Sequence, residues 1–358
     1  MGNETTTKNK IILITGSLGL IGFETAVAFM KKGYSVAGVD NNMRATLLGI
    51  KTDYERKLRY IQKHYSDEYI HNNTDIRDER SMESIFKKYG KKIDLIIHTA
   101  AQTSHEWSAQ DPSTDFSINA HGTFILLNLF RKHSPGAVFV FTSTNKVYGD
   151  TVNDFRYKEY KKRYDLETNN RFYNGITEDF SIDQSKHSPF GVSKAAADLL
   201  VQEFGRYFNL KTGIFRLGVV ASGGQNGAFE QGFLSYMIHA FEKGQEFRVL
   251  GYKGKQVRDI IHAKDVARAF YLYHKNPLKG EVFNLGGGRK NSASVLELIE
   301  KVSAVTGKKP DISFRDNARS GDHKWWISDY SKFKNAYSAW NITHSVDDII
   351  RDIYQKRI

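Results

Sequence analysis

The strongest constraint on the fold is a glycine-rich turn between a strand pattern and a helix pattern near the start of the chain. In the segment ILITGSLGLIGFETAVAFMKKGYSVAGVD, an apolar β-rich run leads directly into Gly16, Gly19 and Gly22. Glycines at this spacing permit a tight turn, a close approach of backbone to a pyrophosphate, and close packing of helix on sheet. The unpaired N–H groups and positive dipole end of the helix then face the phosphates. The segment predicts a dinucleotide-binding turn, with a similar turn that binds no dinucleotide as the alternative.

The acidic residue that closes the second predicted strand bears on the choice of dinucleotide. Asp40 lies 18 residues after Gly22. Its carboxylate can accept hydrogen bonds from a ribose diol and repels a 2′-phosphate, which favours NAD over NADP as the cofactor. Arg44, close by, keeps NADP as an alternative.

Strand and helix patterns alternate through the first 150 residues. Apolar runs typical of strands occupy 11–15, 34–39, 69–73, 95–99 and 137–142, with helical patterns between them that include 26–32, 81–89 and 119–131. This alternation predicts an α/β fold, a Rossmann-type doubly wound parallel sheet. Ligands of such sheets bind at the carboxyl ends of the strands. Asp75-Ile76 and 98–102 are therefore candidate cofactor contacts, with an ordinary loop aspartate as the alternative for Asp75.

The pattern changes after residue 150. Residues 151–187 are polar, aromatic and irregular and predict an inserted excursion, followed by a helix over 188–209 and a strand over 212–216. We expect a disordered lead-in over 1–10 and an NAD-binding Rossmann domain over 11–216. A smaller mixed α/β substrate lobe is expected over 217–358, from which about 256–285 returns to the Rossmann domain.

Composition excludes several classes of function. The chain has no cysteine, so disulfides, thiolate metal sites and a cysteine nucleophile are excluded, and we expect a cytoplasmic protein without a metal site. The chain contains no window of about 18 apolar residues, so we predict no membrane-spanning segment. The formal charge of +12 comes from lysines spread along the chain. Without a long basic run we expect neither nucleic acid nor membrane as a partner.

Two later segments carry the residues of a known reaction chemistry. They are FTSTNKVYGD at 141–150 and HSPFGVSKAAADLL at 187–200. With the glycine turn, they resemble the extended short-chain dehydrogenase/reductase family over nearly the whole chain. The branch that the chain most resembles is the CDP-tyvelose (CDP-paratose) 2-epimerases, through the runs STNKVYGD, HSPFGVSK, GGQNGAFEQGF, GKQVRDIIHAKD, FNLGGG and RSGDHKWWISD.

The resemblance implies a set of catalytic and cofactor-binding residues. The family uses a Ser/Thr that hydrogen-bonds the reacting oxygen, a Tyr that moves the proton, and a Lys that lowers the tyrosine pKa and binds the nicotinamide ribose. Thr144 takes the first position and Lys194 the third. The predicted cofactor-binding residues are Gly16, Gly19, Leu20, Ile21, Gly22, Asp40, Asn41, Asp75, Ile76, Thr99, Ala100, Ala101, Gln102, Asn119, Thr142 and Lys194.

The tyrosine position departs from the family, because it holds Phe190. A phenyl ring has no proton to exchange. Three explanations compete. The phenylalanine is an engineered change that blocks the reaction, a natural residue in a site where another group transfers the proton, or a sign that catalysis has been lost. The candidate substitutes are Tyr173 in the excursion, Tyr148, Lys146 and Lys194 itself, each with a packing or surface role as its alternative. We favour a natural phenylalanine with Tyr173 as the proton carrier.

The residues after Thr144 bear on the reaction. Dehydratases of the resembled family carry Asp-Glu there, whereas this chain has Asn145 and Lys146, which disfavours dehydration. An epimerase needs only to oxidise a carbinol, let the ketone turn, and return the hydride to its other face. The resemblance implies substrate contacts at Thr144, Asn145, Lys146, Gln231, Arg258, Arg319 and Asp322.

Arginines with forked donors suit the pyrophosphate of a nucleotide-diphosphate sugar. The resemblance places Arg258 and Arg319 there, with surface salt bridges to the nearby Asp259 and Asp322 as the alternative.

Three hypotheses on function follow. The first is an NAD-dependent nucleotide-sugar 2-epimerase. The second is a 4-epimerase or another oxidoreductase on a UDP- or GDP-sugar, and the third is a silent binder of NAD or sugar nucleotide. The resemblance also implies a homodimer, paired through the helices around 119–132 and 194–208.

Overall fold

The computed structural model describes residues 10–223, 232–309, 311–318 and 321–355. The strands are β1 (Ile11–Thr15), β2 (Ser35–Val39), β3 (Tyr69–Asn72), β4 (Ile93–His98), β5 (Val138–Thr144), β6 (Lys158–Glu159), β7 (Tyr164–Asp165), β8 (Lys211–Leu217), β9 (Val219–Ala221), β10 (Phe247–Leu250), β11 (Val257–His262), β12 (Glu281–Leu285), β13 (Ser292–Ser294), β14 (Ile312–Arg315) and β15 (Trp325–Trp326).

The helices are α1 (Leu20–Met30), α2 (Met43–Leu48), α3 (Tyr54–His64), α4 (Glu79–Tyr89), α5 (His105–Gln110), α6 (Pro112–Phe116), α7 (Gly122–His133), α8 (Pro189–Tyr207), α9 (Phe233–Lys243), α10 (Ala263–Lys275), α11 (Val295–Thr306), α12 (Ser331–Ala336) and α13 (Val346–Gln355). Within the described ranges, no helix combines the length and apolarity needed to cross a bilayer.

A seven-stranded parallel sheet forms the centre of the molecule. Its strand order is β12-β8-β5-β4-β1-β2-β3, and every neighbouring pair is parallel. The central strands read as continuous apolar runs, as expected of strands covered on both faces. One face packs on a core that includes Phe29, Phe270 and Trp340, and the other on a core that includes Phe86 and Phe130. The predicted doubly wound parallel sheet is confirmed.

The strand order also locates the ligand side of this sheet. The chain runs from β1 outward to β3 on one side and from β4 outward on the other. In open α/β sheets, ligands bind at the carboxyl ends of the strands beside such a reversal of order. The ends of β1, β2, β4 and β5 therefore face the predicted dinucleotide.

The second lobe has its own sheets and core. Strand β11 pairs with β9, β13 and β15, and β10 pairs with β14. Helices α9, α11 and α13 enclose a separate apolar core with these strands. The excursion over 151–187 is largely irregular, with the short β6–β7 pair, and its apolar residues pack against Trp325 and Trp326.

The return to the first domain differs from the predicted 256–285. Strand β11 is fully buried in the sheet of the second lobe, whereas α10 packs on α1 and β12 closes the edge of the large sheet. An apolar strand has the same pattern in either sheet, so the sequence did not show to which sheet 257–262 belongs. Phe333 and Trp340 also pack in the core of the large sheet. A second segment of the predicted substrate lobe therefore belongs to the first domain.

A buried ion pair joins β8 to α8. The Arg216 guanidinium donates from Nε to Oδ2 of Asp198 at 3.0 Å and from Nη2 to Oδ1 at 2.9 Å. Both side chains are almost fully buried. Ser143, on β5, donates to the same carboxylate at 2.5 Å. This network fixes the helix that carries Lys194 against the strand that carries Thr144.

We expect Arg216→Met to lower the free energy of unfolding by about 3–5 kcal/mol, because it leaves the Asp198 carboxylate buried without its cation. Urea denaturation followed by circular dichroism measures this change. The matched control is Arg351→Met, whose exposed pair with Asp348 contributes about 0–1 kcal/mol. Equal losses in the two variants would contradict a structural role for the buried pair.

Candidate active site

The glycine turn after β1 brings three parts of the chain too close together for side chains. Gly16 has φ +68°, and a Cβ on it would lie 2.6 Å from the backbone nitrogen of Ala100. A Cβ on Gly22 would lie 2.1 Å from the carbonyl oxygen of Gly16. Helix α1 begins at Leu20, with Gly19 as its N-cap. Since the first N–H groups of a helix lack intrahelical partners, the turn and the first residues of α1, Leu20 and Ile21, form a backbone cradle for a phosphate.

Asp40 is held beside this turn. Its Oδ2 accepts a hydrogen bond from the Leu18 N–H and its Oδ1 from the Asn42 N–H, both at 2.9 Å. A carboxylate has about four acceptor positions, so each oxygen can also accept from a ribose hydroxyl. Asn41 caps the next turn by accepting from the Met43 N–H at 3.1 Å. The geometry fits the predicted ribose contact.

The loop after β3 contains Asp75 and Ile76, two of the predicted cofactor contacts. Arg77 binds Asp75 through Nη2 at 2.7 Å and Nε at 3.1 Å. Burial raises the pKa of the Asp75 carboxyl, but the hydrogen bonds from Arg77 outweigh it and lower the pKa. Ile76 is buried and packs against Gly122. A Cβ on Gly122 would lie 2.8 Å from Cδ1 of Ile76. Asp75 thus has a structural partner already, whether or not it also contacts the cofactor.

The loop after β4, whose residues are predicted cofactor contacts, runs beside the glycine turn. The Thr99 hydroxyl donates to the Thr15 carbonyl at 2.7 Å, and Ala100 and Ala101 follow it half-buried. Thr142 lies on the neighbouring β5 and donates its hydroxyl to the His98 carbonyl at 2.9 Å. These residues lie together at the carboxyl edge of the sheet.

Gln102 and Asn119, two further predicted cofactor contacts, take part in a buried hydrogen-bond network. The two are nearly fully buried and bind each other, with the Gln102 N–H donating to Asn119 Oδ1 at 3.0 Å. Asp115 accepts from both side-chain amides, and Ser193 of α8 joins the same network. They hold the loop after β4 against α8.

Lys194, the predicted catalytic lysine, is buried on α8. Its side chain is 3% exposed, and its Nζ donates to the Thr142 carbonyl at 2.8 Å and lies 4.2 Å above the Phe141 ring. Burial lowers the pKa of Lys194 to about 7, against the opposing effect of Asp198 and Asp115. Thr144 ends β5, half-buried, and its hydroxyl accepts from the Lys146 N–H at 3.2 Å.

The position of the family tyrosine is buried and apolar. Phe190 is 5% exposed and lies on α8 one turn before Lys194. Its ring makes an edge-to-face contact with the imidazole of His105, with centroids 4.9 Å apart. The sequence analysis did not identify His105. Its only sequence signal is its place in the loop that follows β4, at the carboxyl edge of the sheet.

Two of the proposed substitute residues have other partners. The Tyr148 hydroxyl donates to Asn284 Oδ1 at 2.8 Å and accepts from Arg216 at 3.0 Å, and burial raises the pKa of Tyr148 to about 12. The Tyr173 ring lies under the Arg289 guanidinium at 3.5 Å. Both tyrosines therefore contribute to packing.

A cationic cluster lies beyond Thr144. Arg258, on β11, pairs with Asp322, and Lys146 Nζ donates to the Gly321 carbonyl at 2.9 Å. Burial lowers the pKa of Lys146 to about 7, and the Arg258 charge acts in the same direction, against the opposing effect of Asp322. Arg258 is itself buried, so the salt bridge of the alternative reading is present with Asp322 but does not lie at the surface. The cluster can bind an anionic group.

The remaining predicted substrate contacts are placed only in part. Asn145 is buried directly after Thr144. Gln231 and Arg319 lie outside the described residues.

Comparison with known proteins gives consistent relatives. The profile of the NAD dependent epimerase/dehydratase family matches residues 12–286. A CDP-paratose 2-epimerase from Salmonella typhi is 30% identical over 351 residues, which cover 96% of this chain and 98% of that protein. A dTDP-glucose 4,6-dehydratase from Escherichia coli is 29% identical and covers 84% and 78% of the two chains. The structure of a UDP-glucose 4-epimerase from Thermotoga maritima with UDP-glucose has a TM-score of 0.75 at 25% identity and covers 97% and 98%.

The fold and the cradle at the sheet edge define a Rossmann-type dinucleotide-binding protein. The chain belongs to the NAD dependent epimerase/dehydratase family, as its sequence resemblance predicts. Its cofactor is NAD, which the side-chain-free turn and the Asp40 carboxylate fit.

We expect the protein to purify with NAD(H), which denaturation and an enzymatic assay of the supernatant detect. Asp40→Asn keeps the shape of the side chain but removes its charge. Hydrogen bonds to charged groups contribute about 1.5–3 kcal/mol, so the preference for NAD over NADP should narrow by roughly tenfold or more in calorimetric titrations of the stripped protein. Asp67→Asn, at an exposed aspartate, is the control. An unchanged preference would contradict the ribose role.

Proposed function

We propose that this protein is a nucleotide-sugar epimerase that interconverts CDP-paratose and CDP-tyvelose at carbon 2. The observation that carries the proposal is the pair Asn145-Lys146 after Thr144, because it lacks the two carboxylates that the dehydratases of the resembled family carry there. The 30% identity to a CDP-paratose 2-epimerase over almost the full length of both chains supports the choice of substrate.

In the proposed mechanism, different residues bind the substrate and orient the cofactor. Arg258 and Lys146 hold the substrate pyrophosphate in the cationic cluster, while Thr144 hydrogen-bonds the reacting oxygen. Lys194, anchored on the Thr142 carbonyl, orients the nicotinamide ribose. NAD, when bound, accepts a hydride and gives it back, so the cycle consumes no cofactor. Epimerisation requires the keto sugar to turn between these two transfers while its pyrophosphate stays bound.

The alternative functions rest on specific observations. The likeness to a UDP-glucose 4-epimerase supports a 4-epimerase or another oxidoreductase on a UDP- or GDP-sugar. The absence of a proton-bearing group at Phe190 supports a silent binder. Product formation separates both enzymes from the binder, and the position of the inverted carbon separates one enzyme from the other.

We expect the protein to convert CDP-paratose to CDP-tyvelose, without net NADH, in a panel that also contains UDP-glucose, UDP-glucuronate, a GDP-sugar and dTDP-glucose. NMR and mass spectrometry of the products identify the sugar and carbon. Lys194→Met keeps much of the side-chain length but loses the ammonium group, and should lower turnover about 100-fold or more. The same loss in this variant shows that the activity does not come from a contaminating enzyme. Inversion at carbon 4 would favour the second hypothesis, and no product from any sugar would favour the third.

An exposed apolar surface supports a homodimer. Phe116, Phe124, Val192, Leu199 and Tyr207 are large apolar residues on α6, α7 and α8 with exposed fractions of 41–75%. Contiguous exposed apolar surface marks interaction sites, and a two-fold dimer buries the same patch of both subunits. We propose that a second copy of the chain covers this surface.

We expect light scattering at micromolar concentration to give a dimer for the wild type and a monomer for Leu199→Glu, which places a charge in the apolar contact. Phe314→Glu is the matched control, because Phe314 is also exposed but lies on β14 in the second lobe. A monomeric wild type would contradict the proposal, as would equal effects of the two substitutions.

A further inference from the structure

A buried lysine contacts the backbone of the glycine turn. Lys57, on α3, is 6% exposed, and its Nζ donates to the Leu18 carbonyl at 3.2 Å and to the Gly19 carbonyl at 3.4 Å. The ammonium group also lies 5.4 Å from the centroid of the Phe23 ring. Burying a charge is costly unless polar partners replace its hydration. For Lys57, carbonyl groups of the turn itself supply that replacement.

The first of these carbonyls belongs to a residue that is held at both ends. The Leu18 N–H donates to Asp40 Oδ2 at 2.9 Å, while the Leu18 carbonyl accepts from Lys57. A carboxylate on one side and an ammonium group on the other thus fix this residue of the turn. Lys57 therefore helps to place the candidate ribose contact, Asp40, relative to the phosphate cradle.

The second carbonyl belongs to the peptide at which α1 begins. The Gly19 carbonyl accepts the first hydrogen bond of the helix, from the Phe23 N–H at 3.1 Å, as well as the bond from Lys57. In a trans peptide the C=O and N–H groups point in opposite directions, so the Leu20 N–H points away from Lys57. This N–H lacks an intrahelical partner and is available to a phosphate oxygen. Donation from Lys57 polarises the same peptide and strengthens its N–H as a donor.

We propose that Lys57 is a positioning residue for NAD, which orients the glycine turn through its carbonyls and places a positive charge near the pyrophosphate. The inference rests on NAD as the cofactor and does not depend on which sugar reacts. A lysine that only packed α3 against the turn would gain nothing from its charge, because apolar residues of similar volume often replace buried ionic groups without loss of stability.

The charge of Lys57 responds to pH in the range where binding can be measured. Burial lowers the pKa of Lys57 to about 8. Of the charged groups that face it, three carboxylates oppose this effect and one guanidinium adds to it, namely Asp53 before α3, Glu24 on α1, Asp40 after β2, and Arg44 on α2. A bound pyrophosphate favours the ammonium form, so NAD binding should raise this pKa and take up a proton. The affinity for NAD should correspondingly fall as the pH rises through 8.

Calorimetric titration of the protein stripped of NAD tests this role. Lys57→Met keeps much of the side-chain length without the charge, and should weaken NAD binding roughly tenfold or more at pH 7, because hydrogen bonds from a charged donor are lost. Its melting temperature without NAD should equal or exceed that of the wild type, because a buried charge has been removed. The matched control is Lys63→Met, at an exposed position of the same helix, which should change the affinity by no more than about twofold.

A second measurement follows the proton. Titrations at pH 8 in two buffers of different ionisation enthalpy give the number of protons taken up with NAD. The wild type should take up more than Lys57→Met, by up to about half a proton per NAD. Lys146 and Lys194 are present in both proteins, so the difference reports on Lys57 alone. The affinity of the wild type should also fall between pH 7 and pH 9.5, with a midpoint near pH 8.

Each outcome decides the inference. Equal NAD affinities of the wild type and Lys57→Met at pH 7 overturn it. A weaker affinity with unchanged proton uptake and a lowered melting temperature assigns Lys57 to structure and also overturns it. If Lys57→Met does not fold, the wild type decides, because a fall in affinity near pH 8 supports the inference and a flat profile refutes it. A panel in which no sugar reacts refutes the proposed epimerisation and leaves this inference standing.

Discussion

The close approach of backbone to backbone at the glycine turn determines where everything else in this site lies. With no side chain at Gly16 or Gly22, the turn after β1 packs against both the loop after β4 and its own helix, at distances that no Cβ tolerates. This contact aligns the carboxyl ends of β1 and β4 at the reversal of strand order. Because β5 is the next strand along, Thr144 and the start of α8 come to the same edge. The positions of the cofactor cradle and of the candidate catalytic residues are thus consequences of one packing constraint.

Local sequence patterns were sufficient for much of this arrangement. Apolar runs predicted the strands of the large sheet because both of its faces are covered, and the spacing of Phe190 and Lys194 on one helix predicted their relation within one turn. The sequence did not show which sheet receives 257–262, since a buried strand looks alike in either. It also did not reveal His105, because its contacts with Ser188 and Phe190 join residues more than 80 positions apart.

Lys146 and Lys194, two buried lysines near Thr144, dominate the electrostatics of the candidate site. Desolvation lowers the pKa of both Lys146 and Lys194 to about 7, so each loses part of its charge near neutral pH. A fold selected only for stability gains nothing from two such groups, whereas an anionic substrate and cofactor favour their charged forms. Under our proposal that Lys146 holds the substrate pyrophosphate, linkage requires that binding raise the pKa of Lys146, so that the lysine gains positive charge beside the anionic ligand. The overall +12 of the chain acts at longer range in the same direction.

The phenylalanine at position 190 bears on the task of the buried lysine one turn later. In the resembled family, the residue at the Lys194 position has two tasks, lowering the tyrosine pKa and holding the ribose, and a phenylalanine removes the first. The second task, which we propose for Lys194, does not depend on a tyrosine, and the Thr142 carbonyl and the Phe141 ring fix the ammonium group. A lysine kept beside a phenylalanine therefore favours cofactor orientation, rather than activation of a neighbouring phenol, as its task in this chain.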